Sequence, residues 1–236
     1  MKASSVMQYR AWYRQEKIPT FYQGVVHALF VLAVISVTVI LCLGKLERFS
    51  LFEGLVFLTV FIAGNFIEYG LHRIPLHRPL PGLRWVYRIH TQEHHQFFQH
   101  TDPAFTNSRD LHTVFFPYYS VVLLVFGLAG VAFIAPPILL PQDSKYVFIA
   151  SGTLYFLMYE VFHFLHHFPR SLTREDESSL SPWTWMRRHH CLHHDPTRMS
   201  RSNFNVTFPL ADWVFRTIDL NPRPRRGSSR PKKKKD

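Results

Sequence analysis

Four long apolar runs set the hydropathy pattern of the chain. The first, Gly24 to Gly44, is interrupted only by His27 and small hydroxyl residues. Leu51 to Leu71 follows, with Glu53, Asn65 and Glu68 as its polar positions. Val114 to Ala135 is closed by Pro136 and Pro137, and Tyr146 to Leu165 carries Glu160 and His163. Each run is near the length of about 20 residues that a helix needs to cross a bilayer. Buried helices of a soluble protein compete with this reading, but four such runs in 236 residues favour the membrane. The expected fold is all-α: four transmembrane helices with a cytosolic helical cap. The first residues are polar and the first run is too long for a signal peptide, so no cleaved leader is read here.

Charge then sets the orientation. Lys2, Arg10, Arg14 and Lys17 precede the first run, and Arg73, Arg78, Arg84, Arg88 and Arg109 lie between the second and third. Arg187, Arg188, Arg198, Arg201 and the terminal lysines follow the fourth. The opposite loops are short and poor in net positive charge. The positive-inside rule places both termini and the middle loop in the cytosol. That placement accounts for the net charge of +11 without nucleic-acid binding. Cys42 and Cys191 give no disulfide framework and fit a reducing cytosolic face. Trp12, Trp85, Trp183 and Trp185 sit near predicted membrane boundaries and are read as interfacial anchors.

The chemistry lies in the histidines. Ten of the fifteen fall in four clusters: His72 and His77; His90, His94 and His95; His163 and His167; His190, His193 and His194. Imidazole is a general ligand for iron, zinc, copper and nickel. Ten donors exceed the needs of one ion, since a closed tetrahedral zinc site uses four. Two ions sharing a cage is the economical reading. Residues three or four apart share a helix face, so His90 with His94, His163 with His167, and His190 with His193 and His194 are expected to converge. His72 and His77 point about 140° apart on an ideal helix. Pro75 lies between them, so the pair is expected to straddle a helix end. Spans two and four both run towards the cytosol, which brings all four clusters to one place beneath the cytosolic leaflet.

These motifs resemble the fatty acid hydroxylase and sterol desaturase superfamily of membrane di-metal oxygenases, over about Phe66 to Ile218. The markers are Glu68-Tyr69-Gly70-Leu71-His72-Arg73, the four clusters, and Asn203-Phe204-Asn205 through Asp212-Trp213. The second cluster has three residues between His90 and His94 where many members have two. The Glu68–Arg73 run and the His189-His190-Cys191-Leu192-His193-His194 form are most similar to fatty acid 2-hydroxylases acting on sphingolipid acyl chains. The resemblance implies that His72, His77, His90, His94, His95, His163, His167, His190, His193 and His194 hold two irons, with zinc a substitute in preparations and dioxygen the co-substrate. It implies lipid hydroxylation fed by an external donor such as a b-type cytochrome with its reductase. Sterol oxidases, desaturases and carotenoid hydroxylases share the cage. The domain reading is a cytosolic segment 1–20, a hydroxylase-like membrane domain 21–218 and a disordered basic tail 219–236.

Three carboxylates, Glu160, Asp195 and Glu93, are expected to orient ligand imidazoles through the second ring nitrogen. His166 is a supporting or packing residue, and His189 a candidate to substitute for His190. His27 reads as an interhelical polar residue, His100 and His112 as loop or interface residues, and Asn65 as a helix-helix hydrogen bonder. Lys233-Lys234-Lys235-Asp236 matches a dilysine retrieval pattern, with an electrostatic contact to anionic lipid as the alternative. The pattern places a eukaryotic source protein in the endoplasmic reticulum and means nothing in a bacterium, where the inner membrane is expected. Two rivals differ in class. Hydrolytic zinc chemistry usually shows His-Glu-x-x-His, which is absent. A metal transporter places ligands near the bilayer midplane, whereas these clusters lie at its cytosolic edge. A non-catalytic scaffold is the remaining alternative.

Overall fold

A computed structural model describes residues 3–169 and 181–220, so the predicted basic tail beyond 220 and the dilysine pattern lie outside the described residues. Among the described residues the structure is helical, with no strand. Helix α1 (Ala3–Glu16) precedes the first span, α2 (Gly24–Leu43). The second span, α3 (Leu51–Arg73), starts at a capping box: Ser50 accepts from the Phe52 N–H, and Glu53 returns to the Ser50 backbone. It ends where Pro75 forces Ile74 out of helical conformation. The cap follows: α4 (Arg84–Tyr87), a π-helix over Arg88–His94, α5 (His95–Phe97) and, after a loop, α6 (Leu111–Val114). Spans α7 (Tyr119–Ile134) and α8 (Gln142–His166) come next, then α9 (Pro182–His193) and the short α10 (Leu210–Val214).

The third span differs from its predicted start at Val114. Phe115 is extended, and the helix resumes only at Tyr119. Pro117 has no N–H to donate and disfavours helix at Phe116, so the apolar run is broken at its cytosolic end. The fourth span begins four residues earlier than Tyr146, directly after Pro141.

Helix α8 is the centre of the bundle. Half of its apolar window is buried, against 11–22% for the other three spans, and α2, α3 and α7 pack around it. Gly64 of α3 permits a close approach: a Cβ there would stand 2.9 Å from the Tyr155 ring. The spans otherwise face outward with side chains such as Ile40, Leu55, Leu123 and Phe126, each more than half exposed. Water would not support so large an apolar surface. Lipid is the solvent of these helices, and the protein is a membrane protein.

Several cationic side chains assigned to the cytosolic segments by charge also clip the cap together. Arg10 donates to the carbonyls of Phe97 and Asp102, Arg14 pairs with buried Asp110 at 2.7 Å, and Arg109 reaches the carbonyls of Ile18 and Pro19. Helix α1 is thereby fixed across the cap.

Candidate metal centre

All ten clustered histidines are buried and face one another, in two groups. His72, His77, His90, His95 and His193 place one ring nitrogen each within 4.8 Å of the others. His94, His167, His190 and His194 do the same a short step away. His163 borders this second group, with its Nε2 3.3 Å from that of His94.

The partition differs from simple helical spacing. His90 pairs with His95 (Nε2 to Nε2, 3.1 Å), while His94 turns to the second group. The π-helix over Arg88–His94 is the cause. Its i→i+5 winding brings residues five apart onto one face, and such turns are frequent at functional sites. The extra residue between His90 and His94 is accommodated there. On α9, His190 meets His194 at 3.1 Å, and His193 turns the other way to meet His77 at 2.9 Å. His72 and His77 straddle the end of α3, as Pro75 predicts.

Hydrogen bonds fix the tautomers of six rings. The Nδ1–H of His94 donates to the Thr113 carbonyl at 2.7 Å, that of His167 to Pro103 at 2.6 Å, and that of His194 to Phe98 at 2.6 Å. His193 donates to Ser202 at 3.0 Å, and His72 to Phe204. Thr91 spends its hydroxyl proton on the Leu76 carbonyl, so it accepts from His77 Nδ1 at 3.1 Å. Each Nε2 in this set is left with a lone pair directed at its neighbours. Two imidazole nitrogens about 2.1 Å from one ion, at tetrahedral to octahedral angles, lie about 2.9–3.4 Å apart. The observed Nε2 contacts are 2.9 Å for His72–His90 and His77–His193 and 3.1 Å for His167–His190. Between His77 and His193, whose tautomers are both fixed, two lone pairs so close repel unless a cation lies between them. The donor set fits two metal ions.

Burial keeps these rings neutral, as ligands require. It lowers the pKa of His94 to about 4 and, with the nearby His72, that of His77 to about 2. His90, His95, His190, His193 and His194 are pushed down by burial first and by neighbouring imidazoles second.

The three carboxylates expected to orient imidazoles have the following partners. Glu93 accepts from Tyr13 at 2.9 Å and faces Arg88. Asp195 caps its own turn through the Thr197 N–H and pairs with Arg198. Glu160 accepts from the Phe116 N–H at 3.1 Å. Among the described hydrogen bonds none of the three reaches a clustered imidazole; backbone carbonyls and the Thr91 hydroxyl hold those rings. His189 does not replace His190 either: it faces Asp212 at 3.3 Å and stacks on Trp185. His166 donates to, or accepts through, no clustered ring; its Nε2 meets the Val206 carbonyl at 2.9 Å, and its ring stacks on His190 and Trp183. Trp183 and Trp185 thus cover histidines, whereas Trp12 and Trp85 are exposed as anchors would be. His27 bonds Tyr22 at 2.8 Å, and Asn65 holds the 207–211 segment through Phe208 and Ala211.

Two further acids organise the site. Segment 202–206 supplies alternate carbonyls to His193, His72 and His166, with Asn203 held at a positive φ of 62°. Asp212 grips this segment through the N–H groups of Phe204 (3.0 Å) and Asn205 (2.6 Å). Glu68 grips its end through the N–H groups of Val206 and Thr207 and the hydroxyls of Thr207 and Tyr155. Burial raises the Asp212 carboxyl, but the bonds from His189, Thr217 and Asn205 outweigh it and hold the pKa low. A carboxylate inside the apolar run was the signal available for Glu68.

Comparison with known proteins agrees with this geometry. The fatty acid hydroxylase family pattern matches residues 57–217. Fatty acid 2-hydroxylase of Homo sapiens is 27% identical over 170 residues, covering 72% of this chain and 40% of that protein. The enzyme of the same name from Mus musculus is 26% identical over 168 residues, covering 69% and 40%. The chain therefore spans about two fifths of the length of these curated relatives. A solved structure described as full-length Scs7p, with only the hydroxylase domain visible, shares the fold: TM-score 0.57 and 23% identity, over 83% of this chain and 66% of that one.

Proposed function

The chain belongs to the fatty acid hydroxylase family, and from that premise we propose that it hydroxylates a membrane lipid at a two-iron centre, using dioxygen and electrons from an external donor such as a b-type cytochrome. The observation that carries the proposal is the pair of inward-facing imidazole sets, with nitrogen contacts at ligand spacing and the opposite nitrogens committed to carbonyls. Two irons held there supply the reductive activation of dioxygen that attack on an unactivated C–H bond requires.

The chain's own residues do the rest. His72, His77, His90, His95 and His193 hold one ion; His94, His163, His167, His190 and His194 hold the other. Neutral ligands leave a high positive charge at each ion, unlike the carboxylate-bridged sites of helical bundles. The 202–206 segment and the carbonyls of Phe98, Pro103 and Thr113 keep the rings from reorienting. Burial of every ring excludes bulk water. His163, on α8, lies on the bilayer side of the cage, where an acyl chain entering between spans would arrive. The name of the curated relatives favours a fatty acyl chain over a sterol. We place the cage on the cytosolic side, from the distribution of basic residues.

The test is lipid mass spectrometry of a host expressing the protein under ¹⁸O₂, beside a His167→Ala control. Hydroxylation predicts a lipid gaining one labelled oxygen only with the intact chain. A lipid losing two hydrogens without label would indicate desaturation instead.

A further inference from the structure

Hydroxylation by dioxygen consumes protons as well as electrons: R–H + O₂ + 2 e⁻ + 2 H⁺ gives R–OH + H₂O. One oxygen atom enters the C–H bond, and the other leaves as water with both protons. The imidazoles of the cage cannot supply them while they serve as neutral ligands. The described acids near the cage are mostly committed. Glu68 accepts four hydrogen bonds, Asp212 is bonded by Phe204, Asn205 and Thr217 and faces His189, and Asp110 is held by Arg14, Thr106 and Asn107. Glu93 and Asp195 face Arg88 and Arg198 at the cap surface.

Glu160 differs from all of these. It is 3% exposed, its Oε1 accepts from the Phe116 N–H at 3.1 Å, and its Oε2 is buried with no partner. It lies three residues before His163 on α8, so the two side chains share a face with Cβ atoms about 5–6 Å apart. A carboxylate left half-bonded inside a span is costly, and such residues are functional by default.

A set of polar groups lies on the neighbouring elements. The Tyr22 hydroxyl meets His27 Nδ1 at 2.8 Å, and the Tyr22 ring stands edge-on to His112 at 5.0 Å. His27 Nε2 and His112 Nδ1 are also buried without partners. The Phe115–Phe116 segment joins Glu160 to this set: Glu160 Oε1 accepts from the Phe116 N–H, and the Phe115 ring lies 5.5 Å from that of His27. Burial first, and the charge of Glu160 second, raise the pKa of Tyr22. Tyr159 completes the surroundings, with its ring 5.6 Å from His163 and 5.4 Å from Phe116. Helices α2, α6 and α8 thus each carry a buried polar atom without a hydrogen-bond partner, at His27, His112 and Glu160.

We infer that Glu160 is the proton donor for the oxygen atom that leaves as water, recharged through Tyr22, His27 and His112. The inference rests on the hydroxylase reading above. It assigns Glu160 a role in proton transfer rather than in orienting an imidazole.

The test uses the full chain, purified, iron-loaded and supplied with an electron donor. Glu160→Gln should keep both metal ions and lose product formation by about 100-fold, the usual scale of a positioned acid. Electrons should still be consumed but no longer be matched by product. Glu160→Asp should recover part of the rate, and the D₂O effect on kcat should be larger in the variants than in the wild type. Tyr22→Phe, which leaves the cage untouched, should slow turnover and show the same enlarged D₂O effect; it carries the test if Glu160→Gln fails to accumulate. Wild-type turnover in Glu160→Gln would overturn the inference. So would a loss accompanied by metal loss, or an unchanged D₂O effect in both variants. A wild-type protein that forms no hydroxylated lipid under these conditions would sink the parent reading itself.

Discussion

Removing the Asp212 carboxylate should empty one metal centre and spare the other. Asp212 is completely buried and accepts from the N–H of Phe204 at 3.0 Å, the N–H of Asn205 at 2.6 Å and the Thr217 hydroxyl at 2.6 Å, with His189 at 3.3 Å. Asp212→Ala leaves these donors buried and unpaired. Each unsatisfied group costs about 1–3 kcal/mol, so the three hydrogen-bond donors together cost about 3–9 kcal/mol, a large share of an ordinary domain's stability. Asp212→Asn keeps one acceptor oxygen, for the Phe204 N–H and the Thr217 hydroxyl, but turns its Nδ2 donor towards the Asn205 N–H, so it loosens the segment at a cost below that of Asp212→Ala. The segment released is the one whose Ser202 and Phe204 carbonyls orient His193 and His72, both in the first group. Loss of such orientation typically weakens metal affinity about 10–100-fold. The second group is anchored elsewhere, on Thr113, Pro103 and Phe98. Ion content of detergent-purified Asp212→Asn under graded chelator should therefore fall from two per chain to one before the second ion leaves. Loss of both ions together, or retention of both at wild-type chelator concentration, would refute the reasoning.

Other substitutions separate ligands from supports. Thr91→Val removes the acceptor of His77 and should weaken the first ion about 10–100-fold by competitive chelation, with Thr91→Ser restoring it. His166→Ala should retain two ions, whereas His167→Ala should lose the second, as read by elemental analysis. The metal-free protein should lose stability as pH falls below about 6.5, the unperturbed histidine value. Unfolded histidines take up protons there, while folded His94, with a pKa lowered to about 4, and His77, lowered to about 2, stay neutral. Each such ring removes about 1.4 kcal/mol per pH unit between its two pKa values, so chemical denaturation of chelated protein at pH 7.5 and 5.5 should show a steep drop. A midpoint unchanged over that range would contradict the buried neutral cage.

Much of this was legible in the residues. Apolar runs of span length have few alternatives, which is why α2 and α3 fall where hydropathy put them. The ten histidines were legible because ligand chemistry restricts residue type. Their division between two groups was not. It depends on a π turn at Arg88–His94, and helical periodicity assumes a winding that this segment does not follow. The carbonyl partners of the rings were hidden for a different reason. Carboxylates such as Glu93 and Asp195 stand out in a sequence, but every residue carries a carbonyl, and only the folded path shows that Phe98, Pro103 and Thr113 present theirs to the cage. Pro117 was visible, yet its break in the third span was masked by the apolar residues around it.

The central claim is that ten imidazoles form two adjacent metal centres. X-ray absorption combined with elemental analysis of iron-loaded protein tests it most directly. The prediction is two ions per chain, each with a shell dominated by imidazole nitrogen at about 2.0–2.2 Å and no sulfur contribution. A single ion per chain, or a shell dominated by carboxylate oxygen, would contradict it.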